Sequence, residues 1–176
     1  MAWLPSIRPP GGALSLALDS QITLDVRQFS ISEGMSNFFS VNLEAFSTDA
    51  ALVFDEVVGQ RARFTIRRGA EERTWSGICR GARLLRVEED GLSTYELALV
   101  PMLWLLSQRV NRRIFQHISE PEIATRLLDE WQLPHELRLS ETYKLREYRT
   151  QYDESEHAFW SRPRADARAG AHMERH

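Results

Sequence analysis

Glu154 and His157 stand three residues apart in the stretch Tyr143–Trp160, YKLREYRTQYDESEHAFW. On a helix that spacing puts a carboxylate and an imidazole on one side, as in the Glu-x-x-His motif of di-iron bundles. The same stretch adds Glu147, Asp153 and Glu156, interleaved with Tyr148, Tyr152, Phe159 and Trp160. Three chemistries could use such a collection: metal binding, acid–base catalysis between carboxylates, and stacking of single-stranded nucleic acid on aromatic rings.

None of the three finds its remaining parts. A di-iron bundle needs the motif twice plus two further inward glutamates, and no second Glu-x-x-His occurs. A zinc site needs three or four converging ligands, whereas His117, His135, His172 and His176 occur singly or near the C-terminal end. Asp153, Glu154 and Glu156 fit the start of a helix with Asp153 as its N-cap and Glu156 at N3, where the helix dipole favours negative charge. For nucleic acid, Arg61, Arg63, Arg67 and Arg68 cluster on one segment, but Glu71 and Glu72 follow at once. The formal charge of -3 and pI near 6.0 supply no basic field for a polyanion.

Other catalytic signatures are missing as well. There is no G-x-S-x-G nucleophile elbow, and WSGIC is not one; no Walker or dinucleotide glycine loop is present. The single cysteine, Cys79, sits in a strand-like run, WSGICRG, and reads as a buried, inert thiol. No catalytic, cofactor-binding or metal-binding residue is therefore assigned, and no cofactor is expected.

The elements that would position these side chains are mostly strands. ITLDV puts Ile22, Leu24 and Val26 on one face, and FSVNLEAF alternates Phe39, Val41, Leu43 and Ala45 against polar neighbours. RARFTIRR turns Ala62, Phe64 and Ile66 inward, and STYELALVP does the same with Tyr95, Leu97 and Leu99. RTWSGICRGARLLR is a long run in which Gly77 and Gly81 mark bends or bulges. Gly69 and the Asp90-Gly91 pair supply hairpin turns. Antiparallel strands at this spacing build a barrel or sandwich, and closing a barrel would hide its edges.

After residue 102 the period changes. Ser119 and Glu122 form a capping box with Pro121 in the first turn, and Ile123, Ala124, Leu127, Leu128 and Trp131 make an apolar helical stripe. Leu133-Pro134 ends that helix. ELRLS and REYRTQYD are extended, a second helix runs from Asp153 to Pro163, and Tyr148, Tyr152, Phe159 and Trp160 would pack that strand and helix onto the core. The organisation is then a flexible leader over 1–13, an antiparallel β-barrel over 14–102, a helix and strand segment over 103–162, and a disordered tail over 163–176. The proline- and glycine-broken start carries no Sec-type signal, and no apolar run approaches the ~20 residues that span a bilayer. Synthesis in the cytoplasm and no membrane partner are expected.

Three stretches, FSISEGMSNFFSVNLEAFS, then YELALVPMLWLLSQRVNRRIFQHISEPEIATRLLDEW, then LRLSETYKLREYRTQYDESEHAFWSR, follow one another in a distinctive order. Over roughly residues 15–162 the chain resembles the N-terminal part of VgrG, the spike protein family of type VI secretion systems. It is similar also to bacteriophage tail hub and late-control proteins. The resemblance implies an α+β fold, a β-barrel-dominated phage-tail-hub-like domain with short helices in the second half. It implies a structural, non-enzymatic role at the base of a contractile injection machine. Self-association into a trimer, an Hcp-like tube protein as partner, and export by the machine without a signal peptide belong to the same expectation. The chain departs from the family at Pro163, where a Leu-Leu-Glu-x-Glu-Gly-type continuation would extend the second helix. A truncated or remnant form, with part of the trimer surface missing, is the corresponding expectation. A phage tail hub component, and a metal- or ligand-binding barrel using Glu154 and His157, stay open as alternatives.

Overall fold

The computed structural model describes residues 13–20, 22–35, 37–47, 52–87, 92–139 and 142–162. The leader up to residue 12, the Asp90-Gly91 turn and the tail from residue 163 lie outside the described residues. The chain divides into two compact units at the Pro101–Met102 junction.

The first unit is one antiparallel sheet. Its strands are β1 (Leu14–Leu18), β2 (Asp25–Ser32), β3 (Ser40–Ser47), β4 (Arg61–Arg68), β5 (Glu71–Val87) and β6 (Ser93–Val100), in the spatial order β1-β4-β5-β6-β3-β2. The end strands β1 and β2 approach one another without pairing, which makes the sheet a curled half-barrel. Period-two alternation decides which face is concave. Val41, Leu43 and Ala45 of β3 and Tyr95, Leu97 and Leu99 of β6 are buried while their neighbours are partly exposed, apart from Ser47, Ser93, Thr94 and Val100. Phe64 stacks on Trp75 at 5.9 Å between ring centroids, and Phe54 meets Tyr95 edge-on at 6.2 Å.

Two glycines of this sheet act in different ways. Gly69 closes the β4–β5 hairpin at φ 61°, a conformation that favours glycine. Gly77 marks no bend: a Cβ there would collide with the carbonyl oxygen of Val100, so it serves a close backbone approach. The bulge lies beside Gly81, where the β5–β6 register shifts between Cys79 and Gly81, and a second shift falls between Leu84 and Arg86.

The second unit begins with a 3-10 helix, Met102–Ser107, and continues through β7 (Val110–Ile118), α1 (Glu120–Glu130), β8 (Arg146–Ser155) and α2 (Glu156–Ser161). β7 and β8 pair as a two-stranded antiparallel sheet. The capping box forms as the sequence indicates: the Glu122 amide donates to the Ser119 hydroxyl, and the Glu122 carboxylate accepts from the Ser119 amide at 2.8 Å. Ile123, Leu127 and Leu128 of α1 join Leu106, Phe115, Leu133 and Phe159 in a compact core.

Three expectations change here. β7 has no counterpart among the segments read as strands, because VNRRIFQHI mixes arginines into both faces. ELRLS, residues 136–140, forms no strand over its described residues. The second helix starts two residues late: Ser155, not Asp153, is the N-cap and accepts from the Ala158 amide at 3.1 Å. Asp153 stays in β8 at φ 46°, a left-handed conformation that Asp tolerates better than most residues. At the far end Arg162 is extended (φ -56°, ψ 132°), as a residue before proline prefers, and the helix stops.

Candidate functional site

With Ser155 as N-cap, Glu156 becomes the first residue of α2 and is buried. Glu156 lies three residues before Phe159 on the same helix face, and both are buried, Glu156 at 0% exposure. An isolated carboxylate there would be strongly disfavoured by desolvation. The fold surrounds it with donors. Arg109 Nε donates to Oε1 at 2.6 Å, Arg113 donates to the same oxygen, and Trp131 Nε1 donates to Oε2 at 2.5 Å.

A second carboxylate balances the two arginines. Glu130, at the end of α1, accepts from Arg113 Nη1 at 2.8 and 2.9 Å and also from Arg109. Burial works against the charged form of Glu130, yet Arg113 and Arg109 together hold its carboxyl below the usual range. Arg109 lies over the Trp131 ring at 5.1 Å and Arg113 over Phe115 at 5.5 Å. Fully buried Gln151 accepts from Arg113 Nε at 3.0 Å and donates to the Glu154 carbonyl at 3.0 Å. Two arginines and two glutamates leave the node neutral, and it ties β7, α1, β8 and α2 together.

A smaller node repeats the pattern beside it. Glu120, at 7% exposure, pairs with Arg149 and, at 3.6 Å, with Arg146. Arg149 also lies over Phe159 at 5.1 Å and donates to its carbonyl at 3.3 Å. Both carboxylates are held by fixed cations, and Glu156 has no exposed surface from which to exchange a proton with a substrate. The geometry suits a clamp rather than acid–base chemistry.

Glu154 and His157 are not brought together as a ligand pair. Glu154 belongs to β8 and pairs with Arg162 at 2.6 Å, whereas His157 belongs to α2 with Nε2 3.2 Å from the Ser161 hydroxyl. Burial pushes the His157 imidazole below its ordinary pKa. Asp153 is occupied by a bidentate pair with Arg112 at 2.5 and 2.6 Å. Among the described residues no three His, Cys, Asp or Glu side chains converge as a metal set. His135 Nδ1 lies 2.9 Å from the Leu133 carbonyl; His172 and His176 are outside the described residues. Cys79 is buried, which raises its thiol pKa. On the first unit Arg67 pairs with Glu72 at 2.5 Å, and Arg68 stands opposite Glu71 in the ladder.

The aromatic residues divide. Phe159 stacks on Phe115 at 5.5 Å and Trp160 packs against the same cluster. Tyr148 and Tyr152, expected to pack with them, are instead 70% and 68% exposed on the outer face of the β7–β8 sheet. The strand alternation explains this: Arg149 and Gln151 take the inner positions, so residues 148, 150 and 152 point outward. The sequence reading missed Arg109, Arg113, Glu130 and Trp131 as one group, since Arg109, Arg113 and Trp131 reach Glu156 from 47, 43 and 25 residues away and Glu130 joins through the two arginines. The i, i+3 relation of Glu156 to Phe159 was the one local signal.

No helix among the described residues is long and apolar enough to cross a membrane. The sequence profile of the phage tail baseplate hub (GPD) family matches residues 32–166. The type VI secretion system spike protein VgrG4b of Pseudomonas aeruginosa is 35% identical over 154 residues, which is 84% of this chain and 18% of that protein. VgrG2b of the same organism is 33% identical over 145 residues, 79% of this chain and 14% of its own length. A solved structure, the E. coli c3393 protein, superimposes with a TM-score of 0.70 at 28% identity, covering 84% of this chain and 42% of that one. It is described as a component of the type VI secretion system with structural similarity to the T4 bacteriophage tail proteins gp27 and gp5. The chain thus spans less than a fifth of these two spike proteins and under half of the solved one. The chain belongs to the phage tail baseplate hub family.

Proposed function

We propose that this chain is a structural, non-enzymatic component of a contractile injection machine, corresponding to the base of a type VI secretion spike. The observation that carries the reading is the family match over residues 32–166, which takes in the whole described second unit and most of the first. The arginine-held carboxylates support it. Glu120, Glu130 and Glu156 are all held by arginines and serve to join elements, as a scaffold requires. Self-association, with three copies in the ring, and docking on an Hcp-like tube protein follow from this reading. So does export through the machine without a signal peptide.

The test is co-sedimentation with preassembled tube rings of the Pseudomonas aeruginosa system, together with molar mass by light scattering. The expected result is a ring-bound fraction that saturates with added chain. A chain that never sediments with rings, at concentrations where the N-terminal part of VgrG4b does, would overturn the docking reading.

A further inference from the structure

Strand β5 outruns its neighbour. Its 17 residues pair with β4 over Glu71–Ile78 only, and with β6 from Ile78 to Val87. The last backbone bonds on the β4 side are made at Cys79, whose amide donates to the Gln60 carbonyl at 3.0 Å and whose carbonyl accepts from the Gly59 amide at 2.8 Å. Beyond that point, among the described residues, no strand pairs with residues 81–87 on that side. Alternate residues of this overhang turn their N–H and C=O groups to the open edge, a row that one more strand can pair with.

The side chains along the edge differ by face. Leu84 stands opposite buried Tyr95 and Val87 opposite buried Ser93, on the concave side, yet they are 42% and 56% exposed. Phe54, which meets the same Tyr95 ring, is exposed as well. On the convex side Arg83 stands opposite Glu96 and pairs with it. Arg80, the extra residue of the bulge between Cys79 and Gly81, is exposed.

We propose that the β5 overhang is a β-augmentation site for an extended segment of a different polypeptide, with apolar and acidic residues in alternation. The inference goes beyond the assembly reading and does not rest on it. An unpaired strand edge selects an extended backbone, and the period of two sets what its side chains meet. One face of the added strand packs on Leu84 and Phe54, and the other lies beside Arg83 and Arg80. Acidic residues there complement the arginines. A second copy offering the same edge would set arginine against arginine, the device that keeps edge strands from pairing with themselves. Past Val87 the chain continues as Glu88-Glu89-Asp90, so the acidic positions of the partner belong opposite residues 80–83. Seven residues make an edge of only ~20 Å, and the contact is accordingly weak when it acts alone.

The test titrates the full chain into a fluorescein-labelled Val-Thr-Val-Glu-Val-Glu-Val peptide, read by anisotropy and by hydrogen exchange. Its two glutamates fall opposite residues 80–83 when it adds antiparallel. Binding should saturate, with new amide protection confined to residues 80–87. Lysine in place of both glutamates should weaken it at least about tenfold, and Arg80→Glu at least about threefold with unchanged far-UV circular dichroism. A peptide N-methylated at alternate residues should not bind, since its pairing edge is blocked. Binding that survives N-methylation, or that protects another region, would overturn the proposal, as would no saturation into the millimolar range. Protection of residues 80–87 that rises with chain concentration in the absence of peptide would also overturn it, by making a second copy the occupant. No tube ring enters these measurements, so their failure leaves the docking reading standing.

Discussion

The two units solve the burial problem with different chemistry. In the first, fifteen buried apolar residues among those described form one core, twelve of them on the strands of the sheet. In the second, a cluster of seven buried apolar residues among those described shares the interior with Glu156, Glu120 and Gln151. A curled six-stranded sheet can close over a large apolar volume. A two-stranded sheet with two helices cannot, and short sheets are marginal alone. The second unit adds a neutral, hydrogen-bonded ion network that fixes which helix face meets which strand. Such networks specify geometry more than they stabilise, since the desolvation of each ion offsets much of the attraction.

The largest expected effects break this contrast at its centre. Glu156→Ala leaves Arg109 and Arg113 with Glu130 as their one shared carboxylate and Trp131 Nε1 without its acceptor, and the second unit should lose about 3 kcal/mol. Phe64→Ala in the first unit should cost about the same, through a cavity beside Trp75 rather than through unpaired charge. Hydrogen exchange mapped by unit separates the two, because each loss should appear mainly in the unit that carries the substitution. A double replacement of Arg113 and Glu156 by apolar residues of similar size should be milder than Glu156→Ala alone. If it is worse, the network contributes net stability and the contrast must be redrawn.

Gly77→Ala comes next, at about 1–3 kcal/mol, since the Val100 backbone must shift to admit the methyl group. Loss of protection in β5 and β6, with the second unit unaffected, is the readout. Ser119→Ala removes the hydroxyl of the capping box and should lower the stability of α1 by about 1 kcal/mol, measured by urea titration.

The pH response should differ in direction. Glu122 is held below its ordinary 4.5 by hydrogen bonds from the Ser119 hydroxyl and amide, and Glu130 is held below it by Arg113 and Arg109 against the cost of burial. A carboxylate with a depressed folded pKa stabilises above its unfolded value and loses that contribution as pH falls through the folded one. His157, lowered from 6.5 by burial, follows the same sign, so the second unit should begin to weaken as pH drops below about 6.5. Cys79 in the first unit behaves oppositely: its raised pKa gives a contribution present below 9.0 and lost at higher pH. Thermal melts from pH 4 to 10 with exchange readout by unit check both directions. His157→Gln should flatten the acid limb between about pH 6.5 and 5 while leaving the lower limb in place.

Much of this was open to reading from the chain alone. Period-two alternation is a local property, so the concave faces of β3, β4 and β6 follow from residue types one position apart. The capping box at Ser119 and Glu122 is equally local, and the family resemblance rests on long ordered phrases. Local rules misassigned the second helix start because Asp153 and Ser155 are both good caps, and the choice turned on Asp153 pairing with Arg112 across the sheet. Tyr148 and Tyr152 looked like core because they are aromatic. Which side of β8 faces inward depends on its register with β7, and that strand was itself not recognised.

The sequence by itself determined the strand-rich first half, the capped helix α1 and the lack of any complete catalytic motif, because each depends on neighbours within a few positions. Only the tertiary structure decided the fate of Glu156. Its partners come from two segments distant in the chain, around Arg109–Arg113 and at Trp131, and a carboxylate becomes a structural clamp only once those segments converge and exclude water.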